Sequence, residues 1–165
     1  MKSVLERASR WSRLTIALAA LGATVPAWSS ESNAVYDARC AMCHQRAGAG
    51  LKGTFPRLAG RVDEIARTAD GRRFLIEVVL FGMAGKINVD GAPLMGVMPA
   101  FAVLQDEDVA AVLNYAISLE GPEKSKAKGK SVMIEAADVA KVRAATALNA
   151  TQVLANRAGV VAKGK

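Results

Sequence analysis

The chain contains two cysteines and one histidine, and all three fall in one run, Cys40-Ala41-Met42-Cys43-His44. C-x-x-C-H is the attachment signature of a c-type haem. Two thiols at this spacing can add across the two vinyl groups on one edge of a porphyrin to form thioethers. The residue after the second Cys is then held under the ring, where its imidazole can ligate the iron as a proximal histidine. Other chemistries use the same residue types. A thioredoxin-like pair follows a strand and opens a helix of a βαβ unit, and no such pattern surrounds Cys40. Structural zinc takes four ligands, and two Cys with one His supply three. A disulfide across a two-residue gap would close a tiny strained loop. The expected cofactor is therefore one haem c, covalently held through Cys40 and Cys43, with His44 on the iron.

The iron has a second axial position, and a thioether suits it, because soft sulfur favours reduced iron and raises the potential. Met83, Met95 and Met98 compete for it. The stretch Gly91-Ala92-Pro93-Leu94-Met95-Gly96-Val97-Met98-Pro99-Ala100-Phe101 reads as a loop rich in Gly and Pro that carries two of them. Met98 has the best case, since Pro99 restricts it to an extended conformation before iron arrives. Ligating histidines also donate their other ring N–H to an acceptor that fixes the tautomer. The backbone carbonyl of Pro56, in Phe55-Pro56-Arg57-Leu58-Ala59-Gly60, is the acceptor expected for His44, with Phe55 and Leu58 as haem-wall residues.

These groups need helices to position them. Ser32 can cap a helix over Asn33–Arg39, with Val35 and Ala38 inward, that delivers Cys40 to the porphyrin edge. A glycine-rich loop follows at 47–53, where the backbone can pass close to a flat cofactor. A short helical turn is expected over Val62–Ala66. Asp70 or Gly71 opens a longer helix ending near Phe81-Gly82, with Phe74, Leu75, Val78 and Val79 on one face. Ile87 to Gly91 alternates and then turns, as in a small hairpin. A last strong helix covers Asp106–Leu119, with Val109, Val112, Leu113, Ala116 and Leu119 on one face and three acids in its first turn. Tyr115 is placed to pack against the first helix or the haem surround.

The chain begins with basic residues and the apolar run Leu14–Leu21, followed by small residues, which is the layout of a secretory signal peptide over 1–29 cleaved near Ala27 or Ser29. An uncleaved anchor is the rival reading. No later segment is apolar enough to span a membrane. Export suits haem attachment, which bacteria perform outside the cytoplasmic membrane. The net charge of +7 is unevenly spread. From Trp28 to Glu120, nine basic residues face eleven acidic ones, a net of −2. From Gly121 to Lys165, nine face three, a net of +6. No aromatic residue follows Tyr115, so the basic tail lacks base-stacking groups and nucleic acid is not an expected partner. The haem domain is thus expected over 30–120, and a Lys-rich linker with a short helical extension over 121–165. The extension carries a repeat of period fourteen: Val139-x-x-x-Arg143-Ala144 recurs as Val153-x-x-x-Arg157-Ala158. Asn149-x-x-Gln152 resembles a capping box. Two short helical turns are expected there, their apolar residues packing across the haem domain, with Lys124, Lys126, Lys128 and Lys130 able to steer an acidic redox partner.

Taken together, the sequence resembles the class I c-type cytochromes, and within them the small bacterial monohaem cytochromes c that serve periplasmic dehydrogenases. The resemblance rests on Cys40–His44, Phe55–Gly60, Gly96-Val97-Met98-Pro99-Ala100-Phe101 and Leu104–Tyr115, and covers roughly 34–119. It implies an all-α fold around the covalent haem, with the first and last helices of the domain crossing beside it. It also implies His44 and Met98 as axial ligands, Cys40 and Cys43 as thioether sites and Pro56 as the carbonyl partner of His44. One departure is Gln105, where such sequences usually carry Ser or Thr as helix cap; Asp106 is the alternative cap. The function implied is a periplasmic one-electron carrier, not an enzyme, between a periplasmic dehydrogenase and a terminal oxidase or another cytochrome. The other readings are a cytochrome subunit of a dehydrogenase complex, or a haem enzyme or gas-binding protein with an open sixth iron site. The sequence does not name the redox partners.

Overall fold

The computed structural model describes residues 28–121, 132–145 and 147–161. The expected targeting segment up to Ala27 and the lysines of the linker lie outside the described residues. Helices α1 (Trp28–Arg39), α2 (Ala41–His44), α3 (Arg61–Ala66) and α4 (Ala69–Phe81) come first. Strands β1 (Met83–Val89) and β2 (Ala92–Met98) follow, then α5 (Asp106–Ser118), α6 (Ala136–Ala145) and α7 (Ala150–Val161).

The all-α expectation needs correction. β1 and β2 form an antiparallel hairpin in register from Met83↔Met98 to Val89↔Ala92, much longer than the small hairpin expected around Ile87–Gly91. Pro93 and Gly96 weaken β2 as a strand on propensity alone, which is why the stretch reads as a loop. The turn decides otherwise. Asp90 and Gly91 both sit at positive φ, 54° and 75°, as a type I′ turn requires, and that turn matches the twist of two paired strands.

Helix α4 starts at Thr68, whose hydroxyl accepts from the Gly71 N–H at 2.9 Å, one of the donors that the first turn leaves unpaired. It stops at Gly82, at φ 74°. A Cβ there would stand 2.6 Å from the Met98 carbonyl oxygen. Only glycine both tolerates that φ and lets the Met98 segment return so close to the helix end. Phe101 N–H then bonds the Val79 carbonyl at 2.8 Å, tying the chain after Met98 to α4.

Helix α5 buries Val109, Val112, Leu113 and Ala116 on the face its periodicity specifies. Gln105 is its cap position but makes no side-chain cap bond; the Asp106 carboxylate accepts from Arg143 instead. Helix α1 packs against α5. It is longer than expected, and its inward residue is Tyr36, fully buried, whereas Val35 is half-buried and Ala38 exposed. The Tyr36 and Tyr115 rings meet edge to face with centroids 4.9 Å apart, a geometry their quadrupoles favour.

The tail forms two helices of 10 and 12 residues rather than two turns. α6 packs on α4 and α5, and α7 packs on α4 and β1. Ile134 and Val139 join the same apolar cluster as Ile76, Leu80 and Val109. Val132 and Met133, expected to pack, are more than half exposed. Asn114 holds the tail entrance by a two-way bond: its amide donates to the Ile134 carbonyl at 2.8 Å, and its carbonyl accepts from the Ile134 N–H at 2.9 Å. The capping box forms. Asn149 Oδ1 accepts from the Gln152 N–H at 2.9 Å, and Gln152 Oε1 accepts from the Asn149 N–H at 2.9 Å. Among the described residues, no helix is long and apolar enough to cross a membrane.

Candidate haem-binding site

The attachment run lies where α1 ends. Cys40 N–H bonds the Tyr36 carbonyl at 2.8 Å, and His44 N–H bonds the Cys40 carbonyl at 2.9 Å, so α2 is one helical turn that places His44 a full turn after Cys40. The Tyr36 hydroxyl donates to the Gln45 carbonyl at 2.8 Å, which pins the residue following His44. Burial, above all, pushes the Tyr36 hydroxyl well up from its ordinary value. Cys40 and Cys43 are both free and partly buried. Burial, with Cys43 nearby, pushes the Cys40 thiol up to about 11. The helical surroundings also differ from the βαβ unit in which a thioredoxin-like pair sits.

His44 is 7 % exposed. Its Nδ1 lies 2.9 Å from the Pro56 carbonyl oxygen. That carbonyl can only accept, so Nδ1 carries the proton and Nε2 is the nitrogen left to ligate. Burial lowers the His44 pKa, against the opposing pull of the Pro56 bond, and a neutral imidazole is the form a metal needs. The loop between the two residues holds Pro56 in place. Gly50 N–H bonds the His44 carbonyl at 2.9 Å, Leu51 and Phe55 bridge, and Leu58 and Ala59 N–H groups both bond the Gly48 carbonyl.

The same cavity that His44 and Pro56 line is walled by the hairpin. Met83, Gly85 and Ile87 of β1 line it with their cross-strand partners Met98, Gly96 and Leu94. Alternate strand residues share a face, which accounts for these six; Val97, next to Met98 but on the opposite face, also borders the cavity. Met95 falls on the other face and is 73 % exposed, while Met98 is half-buried in the wall. A Cβ added at Gly96 would meet no atom within 4 Å, so this part of the wall is kept flat beside open space. Two free thiols, an imidazole with one nitrogen fixed, a thioether and a flat apolar wall fit a covalently held porphyrin.

Of the residues expected from sequence, Cys43, His44, Phe55, Pro56 and Met98 line the cavity, and Cys40 stands one turn before His44. Leu58 is not among the lining residues; it packs against the apolar cluster of the interior. Thr54, Gly85, Ile87 and Leu94 were missed at the site. The Asp90-Gly91 turn signal, extended to strands on both sides, would have found the last two.

The cytochrome c family model matches residues 29–120. The chain is also 48 % identical over 120 residues to cytochrome c-552 of Thermus thermophilus, an alignment covering 73 % of this chain and 89 % of that one. A second cytochrome c-552, from a named strain of the same species, is 48 % identical over 120 residues, covering 73 % and 79 % of the two chains.

Proposed function

This chain belongs to the cytochrome c family, and from that membership we propose that it is an exported one-electron carrier working between a periplasmic dehydrogenase and a terminal oxidase or another cytochrome. The family makes it an electron-transfer protein with covalent haem c, not an enzyme. The finer reading assigns Cys40 and Cys43 to the thioethers and His44 and Met98 to the iron, with Pro56 fixing the His44 tautomer. Export is supported by the signal-peptide layout of the N-terminus and by the compartment in which bacteria attach haem.

One observation carries the ligand assignment: His44, with Nδ1 held by Pro56, and Met98 line one cavity. When bound, the haem supplies reversible one-electron chemistry at iron. The chain's residues do the rest. His44 and Met98 are each anchored through the backbone around them, and the hairpin lays an apolar wall that excludes water and lowers the local dielectric. A thioether ligand and a dry pocket both favour the reduced form.

Oxidised and reduced spectra test this reading. A six-coordinate low-spin iron in both states supports the carrier. A vacant or water-filled sixth position sinks it in favour of a haem enzyme or gas-binding protein. Co-purification from the native periplasm then identifies the donor, and an oxidoreductase recovered in fixed stoichiometry turns the carrier into a subunit of that complex.

A further inference from the structure

The period-fourteen repeat of the tail has a structural meaning outside the cavity. Each unit buries a valine completely, Val139 or Val153. One helical turn later, each sends an arginine to backbone carbonyls of the haem-binding half of the chain. Arg143 is the stronger anchor. Its Nη1 donates to the Ala102 carbonyl at 2.7 Å, Nη2 to the Leu104 carbonyl at 2.8 Å and Nε to Asp106 Oδ1 at 2.8 Å. One planar guanidinium thus grips three points within five residues, all just after Met98-Pro99. Arg157 Nη2 donates to the Asn88 carbonyl of β1 at 3.0 Å. Beside it, Leu154 lies so close to Gly85 that a Cβ on Gly85 would strike its side chain. Asn156 further ties α7 to α4 by donating to the buried Glu77 carboxylate at 2.9 Å.

We infer that Arg143 and Arg157 are positioning residues that hold the Met98 segment in the cavity wall from outside, so that the tail secures the sixth iron ligand. The inference rests on Met98 being that ligand. Met98 ends β2, and, apart from rotation of the Met98 side chain itself, the backbone can carry its sulfur away from the cavity in two ways. The hairpin can swing, or the chain over 99–105 can move. Arg157 with Leu154 opposes the first motion, and Arg143 opposes the second. A fixed fork of N–H donors suits three acceptors at once, whereas a lysine offers one mobile point charge. The contacts are geometric rather than long-range, so charge alone will not replace them.

The test is competition by imidazole for the sixth position of the oxidised holoprotein, followed through the sulfur-to-iron charge-transfer band. Wild type, Arg143→Gln, Arg143→Lys, Asn114→Ala and Met98→Ala are compared well below their melting temperatures. Arg143→Gln and Arg143→Lys should each bind imidazole about tenfold more tightly than wild type, the size expected when a charge-assisted anchor of the displaced segment is lost. Asn114→Ala, which weakens the tail entrance without touching the Met98 segment, should melt lower yet bind imidazole as wild type does. Unchanged imidazole affinity in Arg143→Gln, or an equal rise in Asn114→Ala, overturns the clamp and leaves the tail as packing. Should Arg143→Gln yield no haem protein, Arg157→Gln takes its place: tighter imidazole binding than wild type supports the clamp, and unchanged binding overturns it. Met98→Ala separates the premise: if it keeps the band, the ligand assignment fails and the clamp falls with it. If it loses the band while both arginine variants match wild type, the clamp alone fails.

Discussion

Arg57 and Asp90, 33 positions apart, form a two-point ion pair, Nε to Oδ2 at 2.9 Å and Nη2 to Oδ1 at 3.0 Å. Arg57 follows the residue that orients His44, and Asp90 forms the tip of the hairpin that carries Met98. The pair therefore ties together the two walls of the cavity. Arg61 adds a longer contact to Asp90 at 3.4 Å.

The Arg57 bond, foremost, holds the Asp90 carboxyl below its ordinary value, and the nearby positive charges of Arg57 and Arg61 add to this while slight burial works against them. A depressed folded-state pKa gives stability that is complete above the unfolded value of about 3.9 and is lost as pH falls through the folded value. Asp90→Asn should therefore lower the melting temperature at pH 7, by the equivalent of about 1 kcal/mol or less for so exposed a pair. The gap to wild type should close on acidification below about pH 4. A gap that stays constant down to about pH 2 would remove the ion pair from the stability of the fold.

Covalent attachment through both thiols has a direct readout. Expressed with a cytochrome maturation system, the wild-type protein should keep its colour through acid–acetone extraction. Cys40→Ala and Cys43→Ala should each give sharply reduced yields of haem protein, because a haem without one thioether is held less firmly and much of the domain packs around it. Free extraction of haem from the wild type would contradict the assignment.

Strand face sets Met95 apart from Met83 and Met98, which are cross-strand partners on the cavity side. Met98→Ala should abolish the sulfur-to-iron charge-transfer band and lower the reduction potential, while Met95→Ala should do neither, since Met95 is exposed on the opposite face. Met83 is the informative control, because it lines the cavity as the cross-strand neighbour of Met98. Met83→Leu should keep the band and change the potential only slightly. Loss of the band in Met83→Leu with retention in Met98→Ala would move the ligand to β1.

Asn114→Ala should destabilise the protein by about 2 kcal/mol, as it leaves the N–H and carbonyl of Ile134 without their partners. Chemical denaturation of the holoprotein measures this. A loss under about 0.5 kcal/mol would mean that water replaces the amide at no cost.

The sequence by itself determined the cofactor and its two points of attachment, because C-x-x-C-H chemistry is local and needs no partner beyond five residues. It also placed the buried face of α5, the Asn149 capping box and the paired Val-x-x-x-Arg units, all of which follow from spacing along one helix. Even the Pro56 acceptor was reachable, once a second nitrogen of His44 had to be accounted for. Only the tertiary structure decided that residues 83–98 pair as strands, since Pro93 and Gly96 hide β2 and the pairing is set by a two-residue turn between the strands. It decided that alternate strand positions bring Met83 beside Met98 and turn Met95 away. And it decided that Asp106, able by sequence to cap its own helix, instead takes Arg143 from 37 residues on. Contacts at that separation depend on how the elements stack, and no local periodicity records the stacking.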